Sequence, residues 1–161
     1  MNREPRVNGV PDVSADPQPD TPRASDGSLA AYTTLRLGGP AGTLTVVSDP
    51  DEVVSTVRNA AAAGRPVLVL AGGSNVVIGD DGFPGTVLLL RTTGIRVIDE
   101  QPESVVVRVA AGEPWDGFVG FAVTNGYSGV ECLSGIPGSA GATPIQNVGA
   151  YGQEVDRKSV V

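Results

Sequence analysis

Between residues 43 and 126 the apolar positions come in two kinds of run, some saturated and some spaced for one helix face, and their order predicts the architecture. Thr43–Val47 (TLTVV) is a short β-branched run that reads as a strand. It is followed by Asp49-Pro50-Asp51-Glu52: an acidic cap, a proline at the first helical position and a glutamate three residues after the cap. A helix begins there on this reading, with Val53, Val54, Val57 and Ala61 on one face and Gly64 and Pro66 as its stop. Val67–Leu70 (VLVL) is apolar throughout, as a strand buried on both faces is, so the segment forms a strand–helix–strand unit of the parallel kind. Thr86–Leu90 (TVLLL) predicts a further buried strand. Ile95–Ile98 and Ser104–Ala110 flank the polar turn Asp99–Glu103, and Val105, Val107 and Val109 alternate with Val106 and Arg108 as in a half-exposed hairpin. Trp115, Phe118, Val119 and Ala122 then mark a second helix that starts near Pro114 and ends at Gly126. Trp115 reads as core at that spacing.

Two stretches fit neither kind of run. The apolar strand at Val67–Leu70 leads directly into Ala71-Gly72-Gly73-Ser74-Asn75, and ligands of open α/β sheets gather at the carboxyl ends of strands. Paired glycines there suit either a diphosphate-binding turn or a plain strand-to-loop corner. The turn lacks the GxGxxG dinucleotide pattern, and no GKS or GKT follows it, which excludes a nucleoside-triphosphate P-loop. Further on, Ser134 to Gly152 (SGIPGSAGATPIQNVGAYG) carries no charge and places glycine at 135, 138, 141, 149 and 152. So little side-chain surface predicts a backbone wrapped around a ligand, with Ser134, Ser139, Thr143, Gln146 and Asn147 as polar supplements; the same string also reads as a long loop of tight turns.

Composition narrows the chemistry. The chain has 161 residues, 40% of them hydrophobic, enough for one real core or two small lobes. A net charge of −7 and a pI near 4.4 repel nucleic acid and anionic membranes, so neither is expected as a partner. Histidine is absent and Cys132 is the lone cysteine, which removes Ser-His-Asp and Cys-His catalysis, a zinc site and an internal disulfide, and no metal is expected. No secretory pattern opens the chain and its apolar runs are too short to span a bilayer, which predicts a soluble, cytoplasmic protein. Residues 1–28, rich in proline and aspartate, read as a disordered tail.

The ordering Ala31-Tyr32-Thr33-Thr34-Leu35-Arg36-Leu37-Gly38-Gly39-Pro40, then Ala71-Gly72-Gly73-Ser74-Asn75-Val76-Val77, then Ser134-Gly135-Ile136-Pro137-Gly138 continuing to Gln146-Asn147-Val148-Gly149-Ala150-Tyr151-Gly152, closely resembles the UDP-N-acetylenolpyruvoylglucosamine reductase (UDP-N-acetylmuramate dehydrogenase) family. The resemblance implies an α/β (α+β) fold of the FAD-binding type shared with vanillyl-alcohol oxidase and p-cresol methylhydroxylase relatives. Its two small lobes are expected at 29–91 and 92–161, the second incomplete, with the C-terminal substrate domain and its proton-donating serine outside this chain. It further implies FAD as cofactor and NADPH as co-substrate, reduction of UDP-N-acetylglucosamine enolpyruvate to UDP-N-acetylmuramate for peptidoglycan, and a monomer. By the same resemblance the first loop binds cofactor through Ala71, Gly72, Gly73, Ser74, Asn75 and Val76. The second loop contributes Ser134, Gly135, Ile136, Pro137 and Gly138, then Gly141, Ala142, Gln146, Asn147, Gly149, Ala150 and Tyr151. Arg157 stands where some members carry an arginine that pairs with the substrate carboxylate, and is the catalytic candidate. A non-catalytic nucleotide- or sugar-diphosphate-binding module is the alternative.

Overall fold

The structure, a computed structural model, describes residues 27–155. The tail expected at 1–28, except its last two residues, and Arg157 lie outside them. Gly27 and Ser28 are tied down: the Ala41 N–H donates to the Gly27 carbonyl, and Ser28 bridges to Pro40.

Three strands form a parallel sheet in the order β1 (Ala41–Val47), β3 (Phe83–Leu90), β2 (Val67–Leu70). The apolar stretch of β3 explains its central place, because Val87, Leu88 and Leu89 are buried on both sides as a middle parallel strand must be. Helix α1 (Pro50–Ala62) carries the chain from β1 to β2 and lies against all three strands. Its start is fixed by the Asp49 carboxylate, which accepts the Asp51 N–H at 2.7 Å, with Pro50 in the first turn.

Register sorts the two faces of the sheet. Leu44, Val87 and Leu68 are aligned on one, with Leu89 and Leu70 two residues further along, and Leu29, Tyr32, Val76 and Ile78 close over them. Leu29 sits in a 3-10 turn, Leu29–Tyr32, and is fully buried, so the segment before β1 is a lid on this first core. Each such side chain taken wholly out of water contributes about 1.5–3 kcal/mol.

Beyond the sheet, β4 (Ile95–Gln101) and β5 (Ser104–Val109) form an antiparallel hairpin. The strands extend through Asp99–Gln101, residues that polarity alone assigns to the turn, because ladder hydrogen bonds are indifferent to side chains that face solvent. Helix α2 (Trp115–Thr124) follows and ends before Gly126, whose φ is +75°. A second core gathers Trp115, Val119, Leu133, Val148 and Val155 under a 3-10 turn at Glu131–Leu133. The chain then forms a one-turn helix α3 (Ala142–Ile145) and a two-residue hairpin of β6 (Gly149–Ala150) with β7 (Gln153–Glu154). Among the described residues no helix is long and apolar enough to cross a membrane.

Candidate functional site

Where β2 and β3 end, the glycine turn after β2 and the glycine-rich run after α2 meet. A Cβ built on Gly72 would lie 3.8 Å from the Gly138 Cα, and one built on Gly138 would lie 3.6 Å from the Ser74 Oγ. Between them opens a cleft of about 360 Å³, within the range of small-molecule sites. From the first stretch Ala71, Gly72, Gly73, Ser74, Asn75 and Val76 line it; from the second, Gly138, Ser139, Gly141, Ala142, Ile145 and Gln146.

The first turn is held open from behind. Gly73 has φ +67°, and a Cβ there would meet the Tyr32 carbonyl oxygen at 2.0 Å. The Thr34 N–H donates to the Gly73 carbonyl at 3.0 Å, so the Ala31–Thr34 segment buttresses the turn. Among the described residues the N–H groups of Gly72, Gly73, Ser74 and Asn75 donate to no protein acceptor. Four free donors on a loop at the end of a parallel strand suit anionic oxygens.

The second loop is zipped to the chain before α2. The Gly138 carbonyl accepts the Trp115 N–H, the Ala140 N–H donates to Glu113 O at 2.8 Å, and the Gly141 N–H to Ala111 O at 2.9 Å. Gly141 has no room for a Cβ, which would stand 2.6 Å from that of Ala111. Upstream, the buried indole N–H of Trp115 donates to Leu133 O at 2.9 Å. Asp116 accepts both the Gly135 N–H at 2.7 Å and the Ser134 hydroxyl at 2.8 Å. Those two bonds, the backbone one first, hold the Asp116 carboxyl below its ordinary pKa, with burial opposing them.

Several anticipated residues stand apart from the cleft. Ser134 and Gly135 are occupied with Asp116, Ile136 and Ala150 pack on the second core, and Pro137 and Gly149 are exposed. Asn147 and Tyr151 take left-handed backbone at φ +49° and +51°, and Tyr151 is 93% exposed. Arg157 lies outside the described residues.

The cleft also has walls that patterning did not mark as site: Val69, Leu70 and Leu90 from the strand ends, Ala111, and Ile145, whose side chain is 87% exposed. Arg91 was missed as well. Its Nη1 donates to Leu90 O at 2.8 Å and Ala71 O at 3.0 Å, and burial lowers its pKa while Tyr32 raises it. Its position one residue past a buried strand was the available signal.

The donor set fits a flavin dinucleotide. Ser139 is 4% exposed, lines the cleft, and its Oγ is the one buried side-chain polar atom without a partner among the described residues, as expected where a ligand would complete the bonding. Free N–H groups opposite it would hold phosphate oxygens, and the apolar strand ends would receive a ring.

The sequence pattern of a family described as FAD binding domain matches residues 42–160. UDP-N-acetylenolpyruvoylglucosamine reductase of Salinispora arenicola is 58% identical over 149 residues, which cover 92% of this chain and 40% of that protein. The reductase of the same name from Thermobifida fusca is 52% identical over 132 residues, 82% of this chain and 37% of the relative. The crystal structure of UDP-N-acetylenolpyruvylglucosamine reductase (MurB) from Thermus caldophilus superposes with a TM-score of 0.59 at 31% identity, covering 79% of this chain and 43% of that one. The chain thus spans about two fifths of the length of the relatives it matches.

Proposed function

Since the chain belongs to the FAD binding domain family, we propose that it is the flavin-holding portion of a UDP-N-acetylenolpyruvoylglucosamine reductase, which reduces UDP-N-acetylglucosamine enolpyruvate with NADPH in peptidoglycan synthesis. FAD, when bound, supplies the hydride chemistry. The chain's own residues bind and orient. The free N–H groups of Gly72–Asn75 hold diphosphate oxygens, the Ser139 hydroxyl donates from the opposite wall, and the bare backbones of Gly72 and Gly138 let the two loops meet beside the cofactor. Val69, Leu90 and Ile145 keep water from the apolar end. Arg157 is assigned to the substrate carboxylate, and the group that donates the final proton belongs to the remainder of the enzyme. The working protein is a cytoplasmic monomer that needs neither nucleic acid nor membrane.

The observation that supports this reading most is the meeting of Gly72 and Gly138 in the wall of one cleft whose buried hydroxyl is unpartnered. The test is uptake of FAD. Purified chain mixed with excess FAD and passed through a desalting column should stay yellow and show a bound-flavin spectrum. Colourless protein overturns the proposal, and a calorimetric signal with a UDP-sugar but none with FAD would replace it with the sugar-diphosphate module.

A further inference from the structure

A positive charge stands behind the cleft wall. Strands β2 and β3 run in register through Leu70 and Leu89, and one residue later the chain leaves the sheet at Ala71. Two carbonyls, Ala71 O and Leu90 O, are left beyond the last rung, and Arg91 Nη1 donates to both. The Arg91 backbone N–H donates to Val47 O at 2.8 Å on the other side of β3, so the residue is anchored at the base of its side chain as well as at the tip. A guanidinium therefore replaces the missing rung, and the Ala71–Asn75 turn can peel away from the sheet without orphaning its first carbonyl.

No side chain that lines the cleft is ionisable, and among the described residues no carboxylate pairs with Arg91. A half-buried cation bonded only to carbonyls keeps its charge. Both carbonyls it grips belong to residues that line the cleft, so its field reaches the site through one layer of backbone.

We propose that Arg91 is the positioning residue and counter-charge for a diphosphate-bearing ligand: it fixes the Ala71 carbonyl so that the Gly72–Asn75 N–H groups face the cleft, and it offsets the ligand's negative charge from behind. This rests on the flavin reading above. It singles out the diphosphate, and not the ring, as the part of the ligand that feels Arg91.

The test compares FAD with riboflavin, which carries the ring without the diphosphate, on the full chain and on Arg91→Met and Arg91→Lys. For Arg91→Met the dissociation constant for FAD should rise about tenfold or more while that for riboflavin moves less than about twofold, and added salt should weaken FAD binding less than it does in the wild type. Arg91→Lys, which keeps the charge, should hold FAD within about threefold of the wild type. Circular dichroism checks folding, and Arg91→Gln, which retains a donor, takes the place of the methionine variant if that one does not fold. Parallel loss of both ligands, unchanged FAD binding in Arg91→Met, or a lysine variant as weak as the methionine one each overturns the role of Arg91. A wild-type chain that takes up no FAD instead overturns the flavin reading itself, and this inference with it.

Discussion

Gly72 and Gly138 face each other so closely that a Cβ on the first would stand 3.8 Å from the Cα of the second. That is ordinary contact, so Gly72→Ala should fold with its stability changed by less than about 0.5 kcal/mol. Both glycines line the cleft, so the added methyl nonetheless crowds the cofactor's place beside this contact, and FAD affinity should fall about tenfold or more. Gly73→Ala differs in kind. Its φ is +67° and its Cβ would meet the Tyr32 carbonyl oxygen at 2.0 Å, so about 2–4 kcal/mol of stability should be lost. Urea melts and flavin-fluorescence titrations separate the two, and equal FAD affinity in Gly72→Ala and the wild type would mean that the loops do not share a ligand.

Ser139→Ala should move stability and binding in opposite directions. The hydroxyl is buried and unpartnered in the free protein, so its removal should leave the ligand-free chain as stable as before or up to about 1 kcal/mol more so. In the complex the same hydroxyl donates to the ligand, and its loss should weaken FAD binding about fivefold to tenfold. A variant that melts earlier and binds FAD normally would assign Ser139 to packing.

Trp115→Phe keeps an aromatic ring in the second core but removes the indole N–H that reaches Leu133 O at 2.9 Å. A buried carbonyl without its donor costs about 1–3 kcal/mol. The strand-like pairing of Gly138 with the Trp115 backbone remains, so the thermal midpoint should drop while the FAD constant stays within about threefold of the wild type. Differential scanning fluorimetry with and without FAD checks both halves, and an unchanged midpoint would deny the indole bond any structural weight.

The three sheet strands and both long helices were legible from their apolar patterns: Val67–Leu70 and Thr86–Leu90 are saturated with apolar side chains, although Val69 in the edge strand is 56% exposed, and Trp115, Val119 and Ala122 repeat along one helix face. The order β1-β3-β2 was not legible, since Val67–Leu70 fits an edge as well as a centre and only the pairing partner decides. Of the site, the two glycine stretches could be read directly, as could their place after a strand end. What escaped was the division of labour inside the second stretch. Whether Gly135 faces a ligand or Asp116 depends on a bond across 19 positions of sequence, and the short α3 within Ser134–Gly152 lacks the length for a periodic signal. Arg91 escaped because a single charge after a strand usually points to solvent, and one of its two carbonyl partners, Ala71 O, is supplied by the turn 20 residues earlier.

Asp116 gives the second loop a pH dependence of definite sign. Its carboxyl accepts the Gly135 N–H and the Ser134 hydroxyl, and its place in the first turn of α2 adds the attraction of the helix N-terminus for negative charge. The folded pKa is therefore below the unfolded one, so the stabilisation is present in full above the ordinary aspartate range near 4 and is lost as pH falls through the lower folded value. The carboxylate is exposed, so water screens the effect, and it amounts to less than about 1 kcal/mol. Asp116→Asn retains an oxygen that can accept the Gly135 N–H while the charge is gone. The variant should thus be slightly less stable than the wild type at pH 7, with the gap closing as pH falls below the ordinary aspartate range. Urea midpoints measured over that fall in pH supply the check, and a gap that widens on acidification would contradict the assignment of Asp116 as the clamp on Ser134 and Gly135.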